Sequence, residues 1–225
     1  IGNMMALAQV ALEVDLDAFD VDPLALNVAN GVIRFRTGQH VDPVDGMDRE
    51  GPHVVFTAGH RAEDRFTRIA KAAWNPKAEA PLFQKVLREA QPKEETRRFV
   101  QRVQGYVATG DVSEQAFFVY QGKGGDGKST VVNATAEALG TYSTTVAIET
   151  FLDTGVKRGG EASPDIAALA GDSRMLCAGE PPSGSKLATG EIKRFTGGGK
   201  IKARELREGL FEFEPIGKVL IECNR

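Results

Sequence analysis

The chain has 225 residues, of which 41% are hydrophobic and 26% are charged, and its formal net charge is -3. This composition excludes an intrinsically disordered protein and predicts a soluble globular protein of one or two domains. No apolar stretch approaches the roughly eighteen residues of a membrane span, and the opening residues lack a basic leader. We therefore expect a cytoplasmic protein with no membrane partner.

The cysteines and histidines predict neither a disulfide framework nor a metal site. Cys177 and Cys223 each lie inside a short apolar run, which favours buried free thiols. His40, His53 and His60 show no metal-ligand spacing, so we expect structural or surface histidines. The chain does not begin with Met, and we expect it to be a fragment of a longer protein.

Residues 1–105 are predicted to form a small, mostly helical domain with one β-hairpin. The hairpin is expected near Leu26 to Phe35, because Asn30-Gly31 between apolar runs is typical of a tight turn. From Arg61 onward, three segments place apolar residues at helical spacing, which predicts two or three short helices separated by prolines. These segments are RAEDRFTRIAKAAW, PLFQKVLREA and EETRRFVQRVQGYV.

Residues 106–225 are predicted to form an α/β domain with a parallel sheet. The apolar run AFFVYQG is followed by a glycine-rich loop and then by VVNATAEALG, a predicted helix that ends at Gly140. Three further apolar runs of strand length follow, namely TTVAIE, RMLCAG and GKVLIECN. The segments between them are long enough for crossover connections, which favours a parallel arrangement of strands.

The glycine-rich loop fits the phosphate-loop pattern G-x-x-x-x-G-K-[ST] in the required strand-to-helix context. Glycines let backbone N–H groups turn towards phosphate oxygens, and the following helix directs its partial positive charge at them. Lys128 would then reach the β- and γ-phosphates of ATP, and the Ser129 hydroxyl would complete the coordination of magnesium. The predicted nucleotide-binding residues of this pattern are Gly122, Gly124, Gly125, Gly127, Lys128 and Ser129.

Two polar residues at the ends of predicted strands complete the predicted site. A carboxylate at Glu180, after RMLCAG, can hold magnesium through water or polarise the attacking water. An amide at Asn224, after GKVLIEC, can orient that water, because open α/β sheets bind ligands at the carboxyl ends of their strands. We predict Lys128, Glu180 and Asn224 as catalytic residues, and Ser129 and Glu180 as metal ligands. The alternatives are an exposed glutamate after a strand and a loop-initiating asparagine.

A strong local excess of positive charge lies between Lys193 and Arg207, where six basic residues face one glutamate. Within it, KIKAREL alternates polar and apolar residues like a strand, and LFEFEP has the composition of a returning strand. This pattern predicts a β-hairpin that presents basic side chains to phosphates, with a solvated charged surface as the alternative. The predicted DNA-binding residues are Lys200, Lys202, Arg204 and Arg207.

These motifs, in this order, resemble those of the superfamily 3 helicases. They are most similar to the helicase part of phage and plasmid primases and of poxvirus-type primase-helicases, over nearly the whole chain. FDVDPLALNVANGVIRFRTG resembles the opening of the small domain before the helicase core, and the phosphate loop resembles Walker A, extended here to Thr130. RMLCAGEPPSG resembles Walker B, IKRFTGGGKIKAREL resembles motif B prime, and GKVLIECN resembles motif C.

The resemblance implies a AAA+ type P-loop core whose members assemble as hexameric rings, hydrolyse ATP between subunits and move single-stranded DNA through the ring. Three departures from the family pattern stand out. Gly199 replaces an aspartate that is frequent in the family, and Gly179 precedes Glu180, which is then the lone acidic residue of Walker B. The family's arginine finger lies after motif C, where we expect this chain to be truncated. A primase domain, if the parent chain has one, would precede Ile1.

The sequence thus predicts an ATP-dependent DNA helicase core from a phage, plasmid or prophage replication protein, acting in the cytoplasm of a bacterial host. Two other classes stay open. A P-loop kinase of a small acceptor would need a lid and an acceptor pocket, and it would not use the basic run. In a non-catalytic DNA-binding or assembly module, the nucleotide would only stabilise a ring.

Overall fold

A computed structural model describes residues 18–42, 45–153, 155, 164–204 and 209–224. Three antiparallel strands open the described chain: β1 (Ala25–Val28), β2 (Gly31–Val41) and β3 (Asp48–Ala58). The β1–β2 pair confirms the predicted hairpin, and its turn consists of residues 29 and 30. Glycine is required after this turn, since a Cβ at Gly31 would lie 2.2 Å from the carbonyl oxygen of Thr57 on β3.

The strand β3 was not predicted, because its Gly51 and Pro52 are typical of a loop. Both residues are tolerated because β3 is an edge strand, where a missing backbone donor faces solvent. Two helices follow, α1 (Pro81–Ala90) and α2 (Glu94–Val107), as the helical spacing predicts. The predicted division between residues 105 and 106 falls within α2, and the assignment of two domains stays a prediction.

The prediction of helical structure in the segment from Arg61 to Trp74 was wrong except for one 3-10 turn, Ala62–Asp64. Its backbone is instead bound to β1. The Ala70 N–H donates to the Asn27 carbonyl at 2.8 Å, and the Ala29 N–H donates to the Ala72 carbonyl at 3.0 Å. Tertiary pairing has overridden local helical preference. With three strands, the described residues of this part of the chain are not mostly helical.

The remaining chain first alternates strands and helices and then ends in three successive strands. In order, it forms β4 (Phe118–Gly122), α3 (Lys128–Leu139), β5 (Ser143–Val146), α4 (Pro164–Ala167), β6 (Met175–Ala178), α5 (Thr189–Thr196), β7 (Ile201–Arg204), β8 (Leu210–Phe213) and β9 (Lys218–Asn224). Four of these strands form one sheet in the order β4-β9-β6-β5, and every pair in it is parallel. The predicted parallel sheet is therefore confirmed. The helix α3 ends before Gly140, which has a left-handed φ of 57°.

The core is divided between the two faces of the parallel sheet. On β9, Leu220 points to one face, whereas Val219 and Ile221 point to the other. The Leu220 face packs against α2, α3 and the β1–β2 hairpin, and the opposite face packs against α4, α5 and β7. The first part of the chain and the parallel sheet thus share one hydrophobic cluster.

Buried charges tie the end of α2 to the amino-terminal ends of the sheet strands. Arg174 is fully buried, and its guanidinium donates two hydrogen bonds, of 2.7 and 2.8 Å, to the Asp172 carboxylate. A third goes to the Ala108 carbonyl at 3.0 Å. The ammonium of Lys218 donates to the carbonyls of Thr109 and Ile216. Burial lowers the pKa of Lys218 to about 7, with a further contribution from the charge of Arg174.

The two cysteines are free and half-buried, less enclosed than the sequence predicts. His40 and His53 stack on each other with ring centroids 4.2 Å apart, which is a structural role for both. Within the described ranges, no three His, Cys, Asp or Glu side chains are grouped as a metal site. Those ranges also contain no helix with the length and apolar character needed to cross a membrane.

Candidate functional site

The predicted site residues meet at the carboxyl-terminal edge of the parallel sheet. The glycine-rich loop follows β4, Glu180 lies two residues after the end of β6, and Asn224 is the last residue of β9. Because β9 lies between β4 and β6, Asn224 stands between the loop and Glu180. The sheet order therefore brings Lys128 and Asn224 together although they are 96 positions apart in sequence.

The loop itself is built from glycines in left-handed conformations. Gly124, Gly125 and Gly127 have φ values of 83°, 66° and 80°. Side chains other than glycine rarely adopt this conformation, which here turns successive peptide groups through the loop and into α3. The helix α3 begins at Lys128, so the loop leads directly into its positively polarised end.

The three residues predicted to be catalytic form one continuous hydrogen-bonded chain. The Lys128 ammonium donates to the Asn224 side-chain oxygen at 2.6 Å. The Asn224 amide nitrogen donates to one oxygen of Glu180 at 2.7 Å, and its backbone N–H donates to the other at 2.9 Å. Each end of the Asn224 amide thus has a partner of the correct polarity, which fixes its orientation. The carboxylate of Glu180 is also fixed, through both of its oxygens.

Ser129 has a partner that the sequence analysis missed. Its hydroxyl donates a hydrogen bond of 2.5 Å to the carboxylate of Glu222 on β9. Glu222 lies two positions before Asn224, so both side chains project from the same face of the strand. This alternation was the available signal in the sequence. Thr130, also predicted for the site, is exposed in the first turn of α3.

Asp126, inside the loop, is a second residue that the sequence analysis missed. Its carboxylate accepts hydrogen bonds from the Lys123 N–H at 3.1 Å, the Lys128 N–H at 3.5 Å and the Lys128 ammonium at 3.2 Å. Desolvation alone would raise the pKa of Asp126. The hydrogen bonds and charge of Lys128 outweigh that effect and lower the pKa from its ordinary value.

The groups around Glu222 are neutral at physiological pH. Burial raises the pKa of Tyr120 to about 12, and it also raises the pKa of the Cys177 thiol. The nearby Glu222 charge acts in the same direction on both groups. Cys177 therefore stays a thiol rather than a nucleophilic thiolate, and the chemistry of this site rests on carboxylates, amide and ammonium.

A cavity of about 310 Å³ opens beside the loop and reaches Asp126 and Lys128. Its walls come from α2, β4 and the residue after α1, and they include Phe99, Val103 and Tyr120. Phe99 is 53% exposed although it is a large apolar residue. Cavities of this size with mostly apolar walls and a few polar groups are typical of small-molecule sites.

The basic run forms the predicted hairpin, in the residues that the structure describes. The strands β7 and β8 pair antiparallel, with Lys202 opposite Glu212. Ile201 and Ala203 are buried, whereas Lys200, Lys202 and Arg204 are exposed. Arg207, the fourth predicted DNA contact, lies outside the described residues.

Acidic side chains partly balance this positive charge. The Lys202 ammonium lies 3.5 Å from the Glu212 carboxylate, and Arg194 lies 2.5 Å from Glu191. The buried side of the hairpin, with Ile201, belongs to the cluster on the sheet face opposite α3. The structure thus does not bring the basic hairpin into the site around Lys128; it is a separate surface.

Comparisons with known proteins found one family match and relatives among viral proteins. Residues 1–92 match the family described as D5 N terminal like. Putative helicase 022R of Frog virus 3 (isolate Goorha) is 26% identical over 92% of this chain and 26% of the viral protein. Putative helicase L207/L206 of Acanthamoeba polyphaga mimivirus is 31% identical over 61% of this chain and 14% of that protein. The chain thus spans about a quarter or less of these relatives.

Solved structures share the fold. The A form apo structure of the NrS-1 C terminal region has a TM-score of 0.50, with 12% identity over 66% of this chain and 34% of that chain. The apo structure of NrS-1 C terminal region (305-718) also has a TM-score of 0.50, with 11% identity over 66% and 35% of the two chains. At this level of identity the solved structures support the fold alone. The matches to the D5 N terminal like family and to the two viral putative helicases confirm the resemblance seen in the motifs.

Proposed function

We propose that this chain is the ATPase core of a superfamily 3 DNA helicase, with a AAA+ type P-loop fold. The observation that carries the proposal is the hydrogen-bonded chain of Lys128, Asn224 and Glu180 across three adjacent parallel strands. These hydrogen bonds hold together the lysine proposed to bind phosphate, the polar sensor Asn224 and the acid Glu180. This arrangement is suited to the hydrolysis of a nucleoside triphosphate.

The donor set of the loop fits the phosphates of ATP. Three left-handed glycines turn backbone N–H groups through the loop, and the Lys128 ammonium adds a positive charge. Anionic phosphates would also benefit from the amino-terminal end of α3. Bound ATP would supply the phosphoryl group that is transferred to water.

Magnesium would be held by the Ser129 hydroxyl and the Glu180 carboxylate. The Ser129 hydroxyl already donates its hydrogen to Glu222, so its oxygen lone pairs are available to a cation. Hydroxyl and carboxylate oxygens are the hard ligands that magnesium prefers. Glu222 places a second carboxylate near Ser129, in addition to Glu180, the lone acidic residue of Walker B.

Glu180 is proposed to act as the general base for the attacking water. A base must be held within hydrogen-bond reach of its water, and Asn224 fixes both oxygens of Glu180. Asn224 couples this base to the phosphate-binding Lys128 through opposite ends of one amide. A γ-phosphate that binds Lys128 would therefore change the hydrogen bonds of Asn224, and through them those of Glu180.

The β7–β8 hairpin is proposed to contact single-stranded DNA. Lys200, Lys202 and Arg204 are exposed on it, and the viral relatives are named as putative helicases. Contacts from these side chains would go to phosphates, which supplies affinity without sequence preference. We further propose a homo-hexameric ring, with the arginine finger supplied from the segment that follows motif C in the family.

DNA-stimulated ATP hydrolysis tests the proposed function. Turnover is measured across a range of protein concentrations, with and without single-stranded DNA. The helicase proposal expects hydrolysis that rises with DNA and, because the ring has to assemble, with protein concentration. Stimulation by a small phosphoryl acceptor in place of DNA would indicate the kinase. ATP binding without turnover under every condition would indicate a non-catalytic module.

A further inference from the structure

The carboxylate of Asp126 takes up the donors that the phosphate loop would offer to a nucleotide. It accepts hydrogen bonds from two loop N–H groups, those of Lys123 and Lys128, and from the Lys128 ammonium. A tetrahedral phosphate would need the same N–H groups and the same ammonium. The Asp126 carboxylate thus occupies, within the motif, the hydrogen-bond donors that would bind a phosphate.

The position of this carboxylate depends on Gly122. A Cβ at Gly122 would lie only 1.4 Å from a carboxylate oxygen of Asp126, so any larger residue would exclude this conformation. Lys128 is well covered, with 13% of its side chain exposed, whereas Asp126 is 33% exposed. The carboxylate thus has a path to solvent, while the lysine stays in the site.

We propose that Asp126 is an affinity-determining residue, whose carboxylate competes with nucleotide phosphates for the loop N–H groups and for Lys128. The inference rests on the proposed nucleotide site and adds a residue to it. Phosphate binding must displace the carboxylate, which lowers affinity. The carboxylate can also take back its donors as the product leaves, which speeds release.

The test compares Asp126→Asn with Asp126→Glu, and it uses tripolyphosphate and ATP as probes in titration calorimetry. Asn removes the charge and keeps the shape. Glu keeps the charge but adds a methylene, whereas the Asp126 carboxylate already occupies the space next to Gly122 that a Cβ would take. Glu137→Gln is the matched control, because it removes one acidic charge from the exposed surface of α3, where Glu137 pairs with Lys71.

Competition predicts that Asp126→Asn binds tripolyphosphate about tenfold more tightly than the wild type, since charge-assisted hydrogen bonds no longer have to be broken. Asp126→Glu should also bind more tightly, and Glu137→Gln should bind as the wild type does. In a second measurement, NMR titration of the free protein should give a pKa of Asp126 below the ordinary aspartate value, rising when tripolyphosphate displaces the carboxylate.

Two outcomes would overturn the inference while leaving the nucleotide site in place. One is an Asp126→Asn affinity equal to or weaker than that of the wild type. The other is a higher affinity for Asp126→Asn with no change for Asp126→Glu. That result would mean that Asp126 acts only by long-range charge repulsion. Failure of the wild type and of every variant to bind tripolyphosphate or ATP would instead overturn the proposed function itself.

Discussion

Asn224 and Glu180 are joined by two hydrogen bonds, one from the backbone N–H and one from the side-chain amide of Asn224. The first bond depends only on where β9 ends, whereas the second depends on the amide side chain. Substitution at Asn224 therefore removes the side-chain link between Glu180 and Lys128 but keeps the backbone hydrogen bond that positions Glu180.

We expect Asn224→Ala to lower kcat for ATP hydrolysis by about 100-fold, the scale for losing one oriented polar group in an active site. The KM for ATP should change far less, because the phosphate-binding N–H groups remain. Steady-state kinetics measure both. Cys223→Ser is the matched control, since its side chain projects from the opposite face of β9. Turnover by Asn224→Ala equal to that of the control would remove Asn224 from the mechanism.

Glu180→Gln should leave ATP binding intact and slow hydrolysis by about 10² to 10⁴-fold, the usual contribution of a general base. The amide keeps the shape of the side chain but loses the charge and one of two acceptors for Asn224. Single-turnover hydrolysis and equilibrium binding separate the two effects. Glu191→Gln, an exposed glutamate paired with Arg194, is the control. Weakened binding with normal turnover per bound ATP would indicate a structural role for Glu180.

Salt titration of single-stranded DNA binding tests the basic hairpin. Lys202→Ala should flatten the slope of log affinity against log salt by about 0.7, the value for one lost phosphate contact. The pair Lys202→Ala and Arg207→Ala should flatten it about twice as much. Glu212→Gln should have the opposite effect on affinity, because it removes the acid opposite Lys202.

Lys71→Ala is the control for this titration, since Lys71 is exposed in the first part of the chain. An unchanged slope for the Lys202 variants, in folded and assembled protein, would leave the hairpin as a solvated charged surface. A gain in affinity for Glu212→Gln together with that unchanged slope would still exclude direct phosphate contact by Lys202.

The buried Lys218 predicts a pH dependence of stability. Its pKa is about 7 in the folded state, below the value of 10.5 for an exposed lysine. Between these values the unfolded chain binds more protons, so the free energy of unfolding rises with pH, by up to about 1.4 kcal/mol per pH unit. Below pH 7 the Lys218 ammonium is buried in its charged form, and its destabilisation of the folded state is greatest.

Lys218→Met should remove this part of the pH dependence. Denaturant unfolding at pH 7, 8 and 9 should show a rising free energy for the wild type and a smaller rise for the variant. The two chains should also differ most at pH 7, where burial of the ammonium costs most. Parallel curves for the two proteins would show that Lys218 keeps an ordinary pKa in the folded state.

The sequence predicted the parts of the site that belong to local motifs. The loop, α3 and the strands before Glu180 and Asn224 follow from glycine spacing and apolar runs. The sequence could predict that Lys128, Asn224 and Glu180 lie near one another, but not that they are joined by hydrogen bonds. Those bonds depend on the strand order that places β9 between β4 and β6, which is a tertiary property. Asp126 was missed because its role comes from contacts, whereas the position of Glu222 two residues before Asn224 on β9 was a signal that the sequence analysis did not use.

The first part of the chain was harder to predict for the same reason. The segment from Arg61 to Trp74 has helical spacing, yet its N–H and carbonyl groups bind to β1. The strand β3 contains Gly51 and Pro52, which signal a loop unless it is known that the strand lies at an edge. Both errors arise where pairing between distant segments decides the local conformation.

The account depends most on Lys128 as the phosphate-binding residue of an ATP site. The most direct measurement is the ATP affinity of Lys128→Ala, beside Lys123→Ala, which removes an equal charge from the same loop. We expect the Lys128 variant to lose ATP binding by about 100-fold or more while its melting temperature stays close to that of the wild type. The Lys123 variant should lose far less. Normal ATP binding and turnover by a folded Lys128→Ala protein would contradict the account.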